Sequence, residues 1–291
     1  MNPSPEWPRD ADAVVDWIRT VALEPGEEVI ATGLERIRVT AELIGTDLES
    51  LAIDATDAAL DLHFADPSPA PMPAVEPDVV RSSTGIARSV RMTAQPMRIS
   101  GIPLFLDVRL SDAPITWLVY ANPTVRGTEQ SRHDLQVAED GTGVRGSVDL
   151  SIRADDIAPL IRSMLEPGLA SAGIRLRRLD IDILQDGADG IRLRARGAAR
   201  WKLLSASARA SARVRITSDG ILTLRDLRIG SGNPVVAFGL LFVRRHLRDA
   251  IGNTFDLNAD EAGLQGIRVH GVQVAADEDV RIRARLGRAP S

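Results

Sequence analysis

Pro234-Val-Val-Ala-Phe-Gly-Leu-Leu-Phe-Val-Arg-Arg-His-Leu-Arg-Asp-Ala-Ile251 is the one stretch of this chain that is apolar on nearly every side, and whatever surrounds it sets the fold. Asn233 can cap a helix there, and Pro234 at the first helical position gives up only an N–H that would be orphaned anyway. Val236, Leu240, Val243, Leu247 and Ile251 fall on one stripe at helical spacing, which Phe238, Leu241 and Phe242 widen. Arg244, Arg245 and Arg248 cluster toward the C-terminal end, where cations suit the helix dipole, and Gly252 can end the helix. The all-round apolar part, Val235 to Val243, is far short of the ~20 residues needed to span a bilayer. The stretch therefore reads as a buried core helix or as one that touches lipid.

Working outward, Trp201–Arg285 reads as the organising unit: strands before this helix and strands after it. Asp219-Gly220 between the apolar runs ending at Ile216 and starting at Ile221 is a strong hairpin signal. Residues 267–270 and 280–286 alternate with period two, as half-buried strands do. Further strands are expected at 143–152, 174–184, 190–203, 204–217 and 221–229. Asp155 or Asp156 caps a helix through about Leu169, with Ile157, Leu160, Ile161, Met164 and Leu165 inward. In the N-terminal half, residues 11–23 form an amphipathic helix carrying Val14, Trp17, Ile18 and Val21. Strands are expected at 34–44, 50–65, 85–100, 103–110 and 114–121. Pro67–Pro77 holds too many prolines for a sheet centre and reads as an extended loop. The polar residues from Pro123 to Gly143 separate the halves.

Apolar residues sit on odd positions over 191–203 and on even ones over 204–216, and similar slips fall near Asp57, Arg178, Asp226 and Gly271. A one-residue slip exchanges the faces of a strand, and a bulge supplies one while adding twist. Small residues from Ser205 to Ala212 let such a sheet curve closely over a partner. The expected fold class is α+β, with long twisted antiparallel sheets wrapped around a few helices. Residues 1–130 and 140–291 form its two parts within one continuous globular body.

The chain has 291 residues, is 44% hydrophobic and only 3% aromatic, so its core is built from Leu, Ile, Val and Ala. With no cysteine there is neither a disulfide nor a thiolate site. Residues 1–150 hold 12 Arg against 24 acidic residues, and residues 151–291 hold 23 Arg plus Lys against 16, so net charges of −12 and +7 divide the chain. Lys202 is the only lysine. The bland explanation is attraction between the halves; the sharper one is a phosphate-facing surface, for which arginine is the better cation. With no signal-like start and no stretch of spanning length, the sequence reads as cytoplasmic, with peripheral membrane contact.

Catalytic motifs are weak. Gly141-Thr-Gly143-Val-Arg-Gly146 matches a dinucleotide loop, but a strand follows where a helix is needed. Asp256-Leu-Asn258-Ala-Asp260 begins like a calcium loop but has Glu261 where the turn glycine belongs. Asp180 and Asp182 share a strand face among arginines and read as surface pairs. His63, His133, His246 and His270 lack metal or triad spacing. No catalytic residue, metal ligand, cofactor or nucleic-acid partner is expected, and the chain reads as a non-enzyme.

Ile152-Arg-Ala-Asp-Asp-Ile-Ala-Pro-Leu-Ile161, Val214-Arg-Ile-Thr-Ser-Asp-Gly-Ile-Leu-Thr-Leu224, the helix from Pro234, and Phe255-Asp-Leu followed by Gly266-Ile-Arg-Val-His-Gly-Val-Gln-Val274 come in an order that resembles the LmeA-like phospholipid-binding family of actinobacteria, within or near the tubular lipid-binding (TULIP) superfamily. The resemblance lies mainly in residues 144–286. It implies non-catalytic binding of a phospholipid or similar amphiphile in an apolar groove. The residues expected to line that groove are Leu222, Leu224, Phe238, Leu241, Phe242, Val243 and Leu247, with Arg244, Arg245 and Arg248 at the headgroup. A closed core in a scaffold that docks a protein partner is the alternative, and an enzyme with an unseen site comes third.

Overall fold

A computed structural model describes residues 6–23, 29–64, 78–126, 129–137, 143–171, 173–187, 190–201, 204–231, 254–258 and 267–287. The helix expected over Pro234–Ile251 and the proline-rich 67–77 lie outside them.

Helix α1 (Ala11–Trp17) starts where the Asp10 carboxylate accepts the Ala13 N–H, and it runs into a π-helical turn (Ile18–Ala22). Strands β1 (Val29–Thr32), β2 (Arg38–Ile44), β3 (Asp47–Asp54) and β4 (Ala59–Phe64) follow. Next come β5 (Val79–Ile99), β6 (Ile102–Arg126), β7 (Glu129–Val137) and β8 (Arg145–Arg153). Helix α2 (Ala154–Ser171) leads into β9 (Ile174–Gln185), β10 (Gly190–Trp201), β11 (Leu204–Ile216) and β12 (Ile221–Gly230). The described chain closes with β13 (Thr254–Asp256), β14 (Val269–Ala276) and β15 (Asp279–Gly287).

These strands make a ten-stranded sheet, whose main path is β1-β4-β5-β6-β8-β15-β14, and a five-stranded sheet, β13-β12-β11-β10-β9. Long twisted sheets are present as expected, but with two α-helices among the described residues the chain is mostly β rather than an even α+β mixture. Among the described residues the larger sheet centres on β6. β6 is 25 residues long and pairs with β5 from Ile102 to Tyr120, with β8 in its first half and with β7 in its second. It was expected as two strands. Asp112 (φ +54) lets the chain swing its inward face from Leu104, Leu106 and Leu110 to Ala113, Ile115, Trp117 and Val119 without leaving the ladder.

Much of the polar 123–143 stretch is strand: β6 runs on to Arg126, and β7 returns along it. β7 does alternate, but its inward residues include the polar Ser131 and His133, which hides the pattern. Not every pairing is antiparallel either, because β3 and β4 both join β5 in parallel.

Three expected irregularities are real bulges. They fall at Ala198/Ala199 opposite Arg177, at Ser211/Arg213 opposite Asp226, and at Gly271 in β14. Asp57 (φ +62) instead sits in the connection between β3 and β4. β10 and β11 are antiparallel neighbours, with Trp201 paired to Leu204. Odd positions of β10 and even positions of β11 are therefore cross-strand partners on one face, and no slip is needed.

Three apolar clusters hold the described chain together. The largest packs Val14, Trp17, Ile18 and Val21, all buried as expected, with Trp7 and Trp117 against β2, β3, β5 and β6. Each of these indoles donates its N–H to a backbone carbonyl: Trp7 to Asp134 (3.1 Å), Trp17 to His133 (3.1 Å) and Trp117 to Thr46 (2.8 Å). Burial of the rings therefore leaves no orphaned donor. The second cluster joins Ile216 of the five-stranded sheet to Val269, Val272, Val274 and Leu286. The third packs Ile157 and Leu160 of α2, with Ile183 and Ile191, onto Ile152, Ala276 and Val280.

Candidate functional site: a two-faced five-stranded sheet

The five-stranded sheet separates its chemistry by face. Cross-strand register places Ile183, Leu193 and Ala212 in one row, Ile181, Ala195 and Ala210 in the next, and Leu179, Gly197 and Ala208 in a third. Cross-strand partners share a face, so this side is apolar and built largely of small residues toward its middle. The opposite face carries Arg178, Arg194, Arg196, Arg209, Arg213 and Arg228 in the alternate positions. Several of these cations stand directly opposite one another, as in Arg196↔Arg209, Arg192↔Arg213 and Arg213↔Arg225. Like charges so placed repel.

Some acids relieve this repulsion. Asp186 accepts from Arg192 at 2.7 Å and lies 3.2 Å from Arg213, which also reaches Asp226 at 3.1 Å. Arg178 pairs with Asp180, so Asp180 is in a surface ion pair as expected. At the end of β9 and β10 far from the turn that joins them, beside the α2–β9 junction, Arg175, Arg177 and Arg200 line a depression of about 370 Å³ with Gly173.

Among the described residues the apolar face joins the buried clusters through one group of side chains. Ile183, Ile191, Val214, Ile216 and Leu222 join the second and third clusters. Leu193, Ala195, Ala199, Ala208 and Ala210 are half-buried and belong to none of the three clusters. Of the expected groove residues, Leu222 is on β12 in the second cluster and Leu224 is half-buried beside Val214. Phe238, Leu241, Phe242, Val243 and Leu247 lie outside the described residues, as do Arg244, Arg245 and Arg248. The arginine array of β9–β12 was not singled out as a site. Its signal was in the sequence, as arginine at 192, 194 and 196 in period two.

A second depression, about 740 Å³, opens on the ten-stranded sheet between Phe105, Arg109, Asp149, Asp279 and Arg281. Its charges neutralise one another. Arg109 and Arg91 hold the Asp107 carboxyl below its ordinary range, and Asp149 is shared by Arg281 and Arg283. Among the described residues no three His, Asp or Glu side chains stand together as metal ligands, and no helix is long and apolar enough to cross a membrane. Arg145 and Gly146 of the dinucleotide-like match open strand β8, where that motif needs a helix.

Comparison with protein-family models, with curated proteins and with solved structures returns no match to this chain.

Proposed function

We propose that this chain binds a phospholipid or similar amphiphile without chemical conversion, holding its apolar part against the small-residue face of the five-stranded sheet. One observation carries the reading: the strip formed by Leu193, Ala195, Ala199, Ala208 and Ala210 is apolar, half-buried and outside every buried cluster of the described residues. Small side chains leave room for acyl chains above a sheet, and each buried CH₂ stabilises the complex by about 0.8 kcal/mol. The resemblance to LmeA-like, TULIP-type proteins points the same way, and the arginine-rich opposite face suits peripheral contact with an anionic bilayer.

Native mass spectrometry of the purified protein, followed by lipid extraction, tests this. The wild type is expected to carry an amphiphile. Ala195→Glu/Ala208→Glu, which puts charge on the strip, is expected to lose it while keeping the strand signal in circular dichroism. A wild-type protein that neither carries nor takes up amphiphiles from vesicles overturns the reading.

A further inference from the structure

We propose that Arg175, Arg177 and Arg200 form a binding site for a phosphate monoester. The bulge opposite Ala198/Ala199 inserts Arg177 as the extra residue between Leu176 and Arg178. A bulge of this kind re-aims a side chain, and here Arg177 lines the same depression as Arg175 and Arg200. Regular pairing already sets Arg175 directly opposite Arg200. The α2–β9 turn is fixed beside them, because Arg162 of α2 donates to the Leu176 carbonyl at 3.1 Å and pairs with Glu166 at 2.6 Å.

The lining separates this corner from the neighbouring depression on the same face: there Asp180 stands among Arg178, Arg196 and Arg209, whereas no acid among the described residues lines the depression of Arg175, Arg177 and Arg200. Arg178, Arg192 and Arg213 each have a carboxylate partner. Arg175 and Arg177, like Arg194 and Arg196, have none among the described residues, but only Arg175 and Arg177 share a depression with no acid in its described lining. Arg175 and Arg177 bring positive charge with no carboxylate partner among the described residues to a depression that Arg200 also lines, and such a cluster favours an anion. Arginine forks match the oxygens of phosphate in paired hydrogen bonds. A phosphate monoester carries roughly −1.5 to −2 at neutral pH, which balances this cluster better than a single carboxylate does. The phosphate can belong to a soluble ester or to a lipid headgroup, and only the second source rests on the amphiphile reading above.

Calorimetry with inorganic phosphate and with glycerol 3-phosphate, and co-sedimentation with phosphatidylcholine vesicles with and without phosphatidic acid, test the site in the full chain. Arg175→Gln/Arg177→Gln is compared with Arg194→Gln/Arg196→Gln, which removes the same charge from the same face. The first variant is expected to bind roughly tenfold or more weakly, as the loss of charge-assisted hydrogen bonds predicts, and the second to bind like the wild type. Binding of the soluble probes identifies a free phosphate ester, and binding only to phosphatidic acid vesicles identifies a headgroup. Equal losses in both variants, or no binding of any probe by the wild type, overturn the proposal. Native mass spectrometry keeps the two proposals apart. Amphiphile retained in Arg175→Gln/Arg177→Gln with phosphate binding absent from the wild type sinks only this site. Phosphate binding by a wild type that carries no amphiphile sinks only the lipid reading.

Discussion

The Thr46 carbonyl oxygen accepts the N–H of the fully buried Trp117, and it also stands 2.0 Å from where a Cβ on Gly85 would lie. The β2–β3 turn can approach β5 this closely only because residue 85 has no side chain. Gly85→Ala must push Thr46 away and disturb the indole hydrogen bond with it. The expected loss is about 1–3 kcal/mol, the usual range for overpacking, read from the urea midpoint; an unchanged midpoint would refute this account. Residues of this kind are hard to see in advance. Val14, Trp17, Ile18 and Val21 announce their burial by helical spacing, whereas Gly85 and Trp117 acquire their roles from a neighbour about forty or seventy positions away.

At the scale of elements, α1 is held to the edge strand β7 by aromatic contacts rather than by a ladder. Trp7 stacks on His133 with centroids 4.5 Å apart and planes 7° from parallel, and Trp17 and Trp117 meet Trp7 edge-on at 5.6 Å. Burial lowers the His133 pKa from its ordinary 6.5, and its Nε2 is buried with no hydrogen-bond partner. Glu6, Arg9 and Asp16 line the same depression, and Asp134 adjoins on β7, bonded to Tyr120. Because the folded state favours the neutral ring, the unfolded chain takes up a proton first as pH falls. Stability from this contact is full above about pH 6.5 and declines as pH drops toward the lower folded value. Thermal unfolding followed by tryptophan fluorescence should show this slope between pH 7 and 5, and His133→Phe should flatten it. A wild-type slope that persists unchanged in His133→Phe assigns the titration to another group.

For the whole molecule, the consequence of the topology is a gradient of protection. β6 has neighbours on both edges along most of its length, and β5 and β8 lie inside the same ladder. β7 and β13 are short edge strands. Amide hydrogen exchange should be slowest in the 104–119 region and fastest in β7 and β13, since local opening is cheapest where few contacts are broken. Slower exchange in β9–β12 than in β6 would make the five-stranded sheet, and not β6, the stable centre.

Period-two alternation, the Asp219-Gly220 turn and the helical spacing of α1 and α2 are local properties, so the sequence by itself determined where most strands and both helices run. It also marked three bulges, because a change of inward face within a strand needs only neighbouring residues to be noticed. Pairing is not local. Nothing near Ile102–Arg126 says that one strand will serve three partners, or that Ser131 and His133 will face inward from a polar segment. The change of apolar positions between 191–201 and 204–216 reflects two paired strands, with Trp201 opposite Leu204. Arg177 and Arg200 are brought together only by the register of β9 against β10, with one inserted residue between Leu176 and Arg178. That register is set by which apolar faces find each other across the core, and tertiary packing alone decides it.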